Sequence, residues 1–186
     1  MARALGDPAM KLSSVLLPAC WLTTALPVPA AAMPDVIVLV RHAERAAEPA
    51  HDPALTPAGE QRAHALAQAL AGLRVNAIFT TEYRRTRDTA APLARALNLQ
   101  PIVVDAKAGH VQAMADTVRA QTGAVLVVGH SNTVTAVMAA LGGPELSDLC
   151  ESSFHHAFVL YPSAEPPRWM QFSYGAPGAP ATLGCL

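Results

Sequence analysis

With 186 residues, 52% of them hydrophobic and 15% charged, the chain has enough apolar material for one buried core, which excludes a disordered protein. A formal net charge of -1 excludes a broad basic field for nucleic acid or an anionic membrane, so any anion site must be local. Eight of the thirteen Lys and Arg residues fall between positions 41 and 95, a concentration that suits a small anionic substrate.

Residues 1–32 read as a cleaved export signal. From Met10 the order is a basic Lys11, an apolar run from Val15 through Leu26 with Trp21 inside it, and the small residues Ala30, Ala31 and Ala32, which suit a signal peptidase. The nine residues before Met10 contain Asp7 and Pro8 and fit a leader poorly, as an over-long start would. A membrane anchor or a core helix is the competing reading. The run is short of the roughly 20 residues a span needs, and Pro18, Pro27 and Pro29 interrupt it. Leu17-Pro18-Ala19-Cys20 offers a lesser, lipoprotein-like alternative. The expectation is a periplasmic or secreted domain of residues 33–186 without stable membrane insertion after cleavage. Cys150 and Cys185 would then lie in an oxidising compartment and pair. Two inert buried thiols are the alternative if the chain is not exported.

From Val36 onward, short β-branched runs alternate with helical patterns, the sign of a parallel sheet covered by helices. Val36 to Val40 and Ala124 to Val128 read as strands buried on both faces, and Ala77 to Phe79 and Ile102 to Val104 as shorter versions. Thr56 and Pro57 supply an N-cap and an N1 proline for a first helix through Leu66 and Leu70, closed by Gly72. A second helix runs from about Arg84 to Leu97 with Asn98 as its stop. Val111, Met114 and Val118 mark a third, and Val134, Val137, Met138 and Leu141 a fourth that ends at Gly142-Gly143. Ala157 to Tyr161 and Trp169 to Phe172, separated by a Pro-rich turn, predict a terminal hairpin at the sheet edge. The expected fold is therefore α/β: a three-layer α/β/α, doubly wound, mainly parallel sheet with an antiparallel edge hairpin.

Ligands of such sheets bind outside the carboxyl ends of the strands. There the first run ends in Arg41-His42, the fourth in Gly129-His130, and the second leads into Arg84, Arg85 and Arg87 at a helix start. Two histidines at equivalent strand ends are hard to dismiss as packing residues. A metal site is disfavoured, because the arginines would repel a divalent cation and no HExxH or Cys/His cluster is present. Phosphoryl chemistry needs planar cationic donors around the phosphate oxygens and an in-line nucleophile, and these residues supply both.

Four motifs in order also resemble the histidine phosphatase (phosphoglycerate mutase-like) superfamily. Val40-Arg41-His42-Ala43-Glu44 is similar to its Arg-His-Gly signature, with Ala in the third position, which is still small enough to leave room for a phosphate. Leu55-Thr56-Pro57-Ala58-Gly59 resembles its Leu-Thr-x-x-Gly helix start, Thr81 to Ala90 its arginine-bearing stretch, and Val128 to Asn132 its second-histidine motif. The resemblance implies a metal-independent phosphatase, acting on phosphate monoesters or phosphoramidates through a phosphohistidine on His42. Arg41 and Arg85 would bind the phosphoryl oxygens, and His130 would donate where charge accumulates. Arg84 and Arg87 would face solvent or support the site. No cofactor or metal is implied, and the partner is a small phosphorylated substrate rather than nucleic acid. A mutase within the same family and a non-catalytic phosphate-binding module are the rival readings.

A general acid on the leaving-group side is the least defined element. Asp105 and His110 follow the third strand and Glu82 the second. A salt bridge to Arg85 would keep Glu82 ionised, whereas His110 titrates in a useful range and is the preferred candidate. His51, Asp52, His64 and the His155-His156 pair read as loop, surface or packing residues, the pair opening an edge strand.

Overall fold

The computed structural model describes Met1, residues 33–178 and residues 184–186. The predicted export segment, residues 1–32, lies outside the described residues except for Met1. Six strands and four helices follow in the order β1 (Val36–Arg41), α1 (Pro57–Ala69), β2 (Val75–Thr80), α2 (Arg84–Leu97), β3 (Ile102–Val103), α3 (His110–Arg119), β4 (Ala124–Gly129), α4 (Val134–Ala140), β5 (His156–Tyr161) and β6 (Arg168–Ser173). One sheet takes the order β3-β2-β4-β1-β5-β6, with β1 to β4 parallel and the β5–β6 hairpin antiparallel against β1.

The pleat sends alternate residues of the central strands to opposite faces, and each face finds its own helices. Ile37, Leu39, Val125 and Val127 pack with Met114 and Val118 of α3 and Val137 and Met138 of α4. Val38, Val40, Leu126 and Val128 pack with Leu66 of α1 and Ala90 and Leu93 of α2. The result is the expected three-layer, doubly wound α/β arrangement. None of the helices in the described residues is long and apolar enough to cross a membrane.

Two readings of the sheet need correction. β3 is an exposed two-residue edge strand rather than a buried one, because it pairs only with β2 and leaves Ile102 and Val103 uncovered. His156 opens β5, which is an inner strand between β1 and β6, so the edge of the hairpin is β6.

Register positions the site. Arg41, the last residue of β1, lies opposite Gly129, the last of β4. The His42 N–H then donates to the Gly129 carbonyl at 2.9 Å, so the histidine that follows each strand is delivered to the same rim. The start of α1 is anchored beside it. Thr56 Oγ1 accepts from the Gly59 N–H at 3.1 Å, and the Thr56 N–H donates to the Glu44 carbonyl at 2.9 Å. A Cβ at position 59 would lie 2.2 Å from that carbonyl oxygen, which is why glycine stands there. Asn98, at φ 53°, closes α2 in the left-handed conformation that asparagine tolerates.

Candidate active site

A cleft of about 520 Å³ opens at the carboxyl ends of the strands, lined among others by Arg41, His42, Arg45, Tyr83, Arg85, His110, His130 and Glu151. All five predicted site residues therefore meet in one place.

His42 is buried, and its Nδ1 lies 2.8 Å from the Ala43 carbonyl oxygen. A carbonyl only accepts, so Nδ1 carries the hydrogen and Nε2 keeps its lone pair. Burial, reinforced by the charges of Arg41 and Arg85, pushes the His42 pKa down to about 3 against the opposing pull of that hydrogen bond. The His130 ring stands edge-on to His42 with centroids 5.4 Å apart, and its pKa is pushed down to about 4 by burial and by Arg85. His130 Nε2 is 3.1 Å from Thr81 Oγ1, which in turn lies 3.0 Å from Thr86 Oγ1. The His130 N–H donates to Thr133 Oγ1 at 3.0 Å, tying the second histidine to the start of α4.

The two arginines are held differently. Arg41 is nearly fully buried and donates from Nη1 to the Cys150 carbonyl and from Nη2 to Glu151 Oε2, both at 2.8 Å, with its guanidinium 4.2 Å from the Phe154 ring centre. Arg85 lies 4.1 Å over the Tyr83 ring, and its buried Nε has no hydrogen-bond partner. Arg84 is exposed and pairs with Asp88 at 3.1 Å, and Arg87 is exposed, in line with their expected supporting roles.

His110 opens α3 with Nδ1 2.9 Å from the Asp105 carbonyl oxygen and a buried Nε2 that has no partner. The other acid candidates fall away from it. Asp105 is exposed and pairs with Lys107 at 3.3 Å. Glu82 does not pair with Arg85 as its sequence spacing suggested. Its carboxylate accepts the Ala106 N–H at 2.8 Å instead, because α2 turns Arg85 over Tyr83 and toward the cleft. Asp52 accepts the Arg84 N–H at 2.7 Å and so caps α2, and His64 is exposed on α1.

Sequence reasoning missed three contributors. Glu151 Oε1 accepts from Ser131 Oγ at 2.6 Å while Oε2 holds Arg41, and Ser131 together with Arg41 keeps the carboxylate ionised by lowering its pKa. Glu151 is 110 positions from Arg41, and no motif announces it. Thr89 accepts the Ala43 N–H at 2.8 Å and donates to the Arg85 carbonyl at 2.7 Å, so one hydroxyl joins the loop of His42 to the turn of Arg85. Arg62 of α1, also buried, forks onto Glu44 at 2.7 to 2.9 Å and reaches the Tyr174 carbonyl at 2.9 Å. Burial is the largest single influence on the Glu44 pKa and works to raise it, but the hydrogen bonds and charge of Arg62, a backbone hydrogen bond and the charge of Arg41 together outweigh it and lower the pKa. The Thr-Ala pair at the end of the arginine-bearing motif was the available signal for Thr89.

Residues 37–109 match the histidine phosphatase superfamily (branch 1), a span that begins in β1 and runs to the residue before α3. The segment that carries His42 and Arg85 is therefore similar to the histidine phosphatase superfamily. Solved structures share the fold of this chain at low identity. SixA of Agrobacterium tumefaciens, named as a phosphohistidine phosphatase, is 24% identical with a TM-score of 0.58, over 78% of this chain and 100% of that one. The protein histidine phosphatase SixA complexed with tungstate is 18% identical with a TM-score of 0.57, over 74% and 96%. The mycobacterial glucosyl-3-phosphoglycerate phosphatase Rv2419c, complexed with VO3, is 18% identical with a TM-score of 0.55, over 77% and 100%. No curated protein matches the sequence. Within the matched segment the chain carries Ala43 where the superfamily signature has glycine. The Ala43 methyl is fully buried with Leu55 and Ala63, on the side of the loop that faces α1.

Proposed function

We propose that the protein is a phosphatase that hydrolyses phosphate monoesters or phosphoramidates through a phosphohistidine on His42. The observation that carries this reading is an imidazole that is neutral at physiological pH, with its lone pair on Nε2, in a cleft shared with Arg41, Arg85 and His130. Nε2 attacks phosphorus as the bond to the leaving oxygen breaks. The positive charge that this leaves on the ring is stabilised by the Nδ1–H bond to Ala43. Arg85, with a buried Nε that no group among the described residues satisfies, clamps the phosphoryl oxygens together with Arg41. A Thr81 hydroxyl that donates to His130 Nε2 leaves the hydrogen on Nδ1, the nitrogen that would donate to the phosphoryl group. Water then attacks the phosphohistidine and returns Nε2 to its neutral state.

The leaving oxygen of an ester needs a proton, and His110 is our candidate donor. Its Nδ1 hydrogen is committed to the Asp105 carbonyl, so Nε2 donates only from the imidazolium form. The neighbours' names point to a protein phosphohistidine and to a phosphorylated sugar acid, both compatible with an open cleft that accepts a phosphoryl group on a small or exposed carrier. Export remains part of the proposal. The Cys150–Cys185 disulfide, expected from the sequence and formed in the structure, is supporting evidence, since such bonds persist in oxidising compartments.

The test is incubation of the purified protein with an aryl phosphate in the presence of a chelator, followed by trapping of acid-labile phosphate on the chain. Wild type should turn over and label, and His42→Ala should do neither. Label that persists in His42→Ala would remove His42 as the nucleophile.

A further inference from the structure

The wall of the cleft that holds Arg41 is itself held by a covalent bond. Cys150 and Cys185 are joined with Cα atoms 5.0 Å apart across 35 residues of sequence. The backbone around the bond pairs as well: the Cys150 N–H donates to the Leu186 carbonyl at 2.7 Å, and the Leu186 N–H to the Asp148 carbonyl at 2.9 Å. Immediately beside it, the Cys150 and Ser153 carbonyls accept from Arg41 Nη1 at 2.8 and 3.4 Å, and Glu151 takes Nη2 at 2.8 Å. Among the described residues, every hydrogen bond that the Arg41 guanidinium donates therefore goes to residues 150–153, and its buried Nε has no partner there.

We propose that the Cys150–Cys185 disulfide is a positioning device for Arg41, so that the affinity of the cleft for a phosphoryl group follows the thiol redox state. The proposal rests on the reading of Arg41 as a phosphate ligand. A dithiol reductant attacks one sulfur, forms a mixed disulfide and then closes on itself. Two electrons and two protons pass to the protein, which leaves two thiols, and the reductant departs as a disulfide. Cys185 is half-buried, so the bond is within reach of a small dithiol. Once it opens, the covalent link is gone and residues 184–186 keep to this loop through the two backbone hydrogen bonds and the packing of Leu186 against the core that includes Leu149, a looser hold that lets the Cys150 carbonyl and Glu151 carboxylate shift away from the guanidinium.

Arg41 would contact the phosphoryl group in the ground state and in the transition state alike. Its displacement therefore raises KM and changes kcat less. A disulfide serving stability alone gives the opposite pattern, a smaller folded fraction that lowers apparent kcat with KM unchanged.

The experiment compares the oxidised full chain, the dithiol-reduced chain and Cys185→Ser at 25 °C. It reads KM and kcat on an aryl phosphate, and the affinity for inorganic phosphate by calorimetry. Reduction and Cys185→Ser should each weaken phosphate affinity and raise KM roughly tenfold, as expected for one misplaced charge-assisted hydrogen bond, with kcat within about twofold and recovery on reoxidation. Arg41→Ala should bind phosphate equally in both redox states, because the coupled partner is gone. Phosphate affinity unchanged by reduction, or an equal loss in Arg41→Ala, would overturn the proposal. Unfolding of both the reduced chain and Cys185→Ser would also overturn it, since the bond would then hold the fold and not one guanidinium. Absence of turnover in the oxidised chain would defeat the phosphatase reading alone, and calorimetry would still decide the redox coupling.

Discussion

The Nδ1 hydrogen of His42 is committed to the carbonyl of the next residue, Ala43, at 2.8 Å. The proposed nucleophile is thus oriented by its own backbone, and the Ala43 N–H is in turn fixed by Thr89. The tautomer is set by a group that cannot titrate, so only protonation of Nε2 can disarm the ring.

That protonation is displaced far to the acid side, because burial pushes the His42 pKa down to about 3. The neutral form therefore persists from alkaline pH down to that value, and on the proposed mechanism the acid limb in kcat/KM should fall near pH 3 to 4 rather than near 6.5. Phosphate esters carry their own ionisation near pH 6. Two substrates that differ in phosphate pKa separate the contributions: a limb near 6 that moves with the substrate belongs to the substrate, whereas one that stays near 6.5 for both would show an ordinary, solvated nucleophilic histidine.

Arg85→Ala should lower kcat/KM about 10- to 100-fold, the loss of a charge-assisted hydrogen bond to phosphate. Arg84→Ala should stay within about twofold, because Arg84 is exposed and its i,i+4 pair with Asp88 contributes only a few tenths of a kcal/mol. Equal losses would mean that the cleft geometry misassigns the ligand.

His110→Ala should slow an alkyl phosphate more than an activated aryl phosphate, by roughly 10- to 100-fold against less than threefold, since an acid matters most when the leaving oxygen is basic. His110→Gln keeps a hydrogen-bond donor without a transferable proton and should resemble His110→Ala. An equal loss on both substrates would leave His110 a packing residue that satisfies the Asp105 carbonyl.

Much of this was legible in the sequence because period and position are local properties. The β-branched runs of β1 and β4 announced buried parallel strands, and their ends announced the rim that holds His42 and His130. β3 misled because its composition, Ile and Val, is that of a buried strand, whereas its exposure follows from where the chain crosses back to β4 over the other face. Glu151 was invisible for a related reason. Its role arises from a loop that folds back onto Arg41 through the terminus of the chain, a long-range contact with no periodicity to betray it. The Glu82–Arg85 spacing, by contrast, did suggest a contact, and it failed because a carboxylate near the start of a helix found a backbone N–H across the cleft rim first.

Ala43 departs from the Arg-His-Gly signature of the superfamily. The residue takes a negative φ, since Asn98 is the only non-glycine with a positive one among the described residues, so the loop does not demand glycine. Its methyl is fully buried against Leu55 and Ala63, and its N–H and carbonyl, not its side chain, serve the site. Ala43→Gly should therefore act on stability and spare the chemistry. Losing a buried methyl costs about 0.8 kcal/mol, and the added backbone freedom of glycine in the unfolded chain costs roughly 0.5 to 1 more. The variant should lose about 1 to 2 kcal/mol in denaturant unfolding, while KM for an aryl phosphate at 25 °C stays within twofold. A stability unchanged together with a markedly lower KM would show that the methyl crowds the phosphate, and that this loop presents its side chain to the cleft rather than to α1.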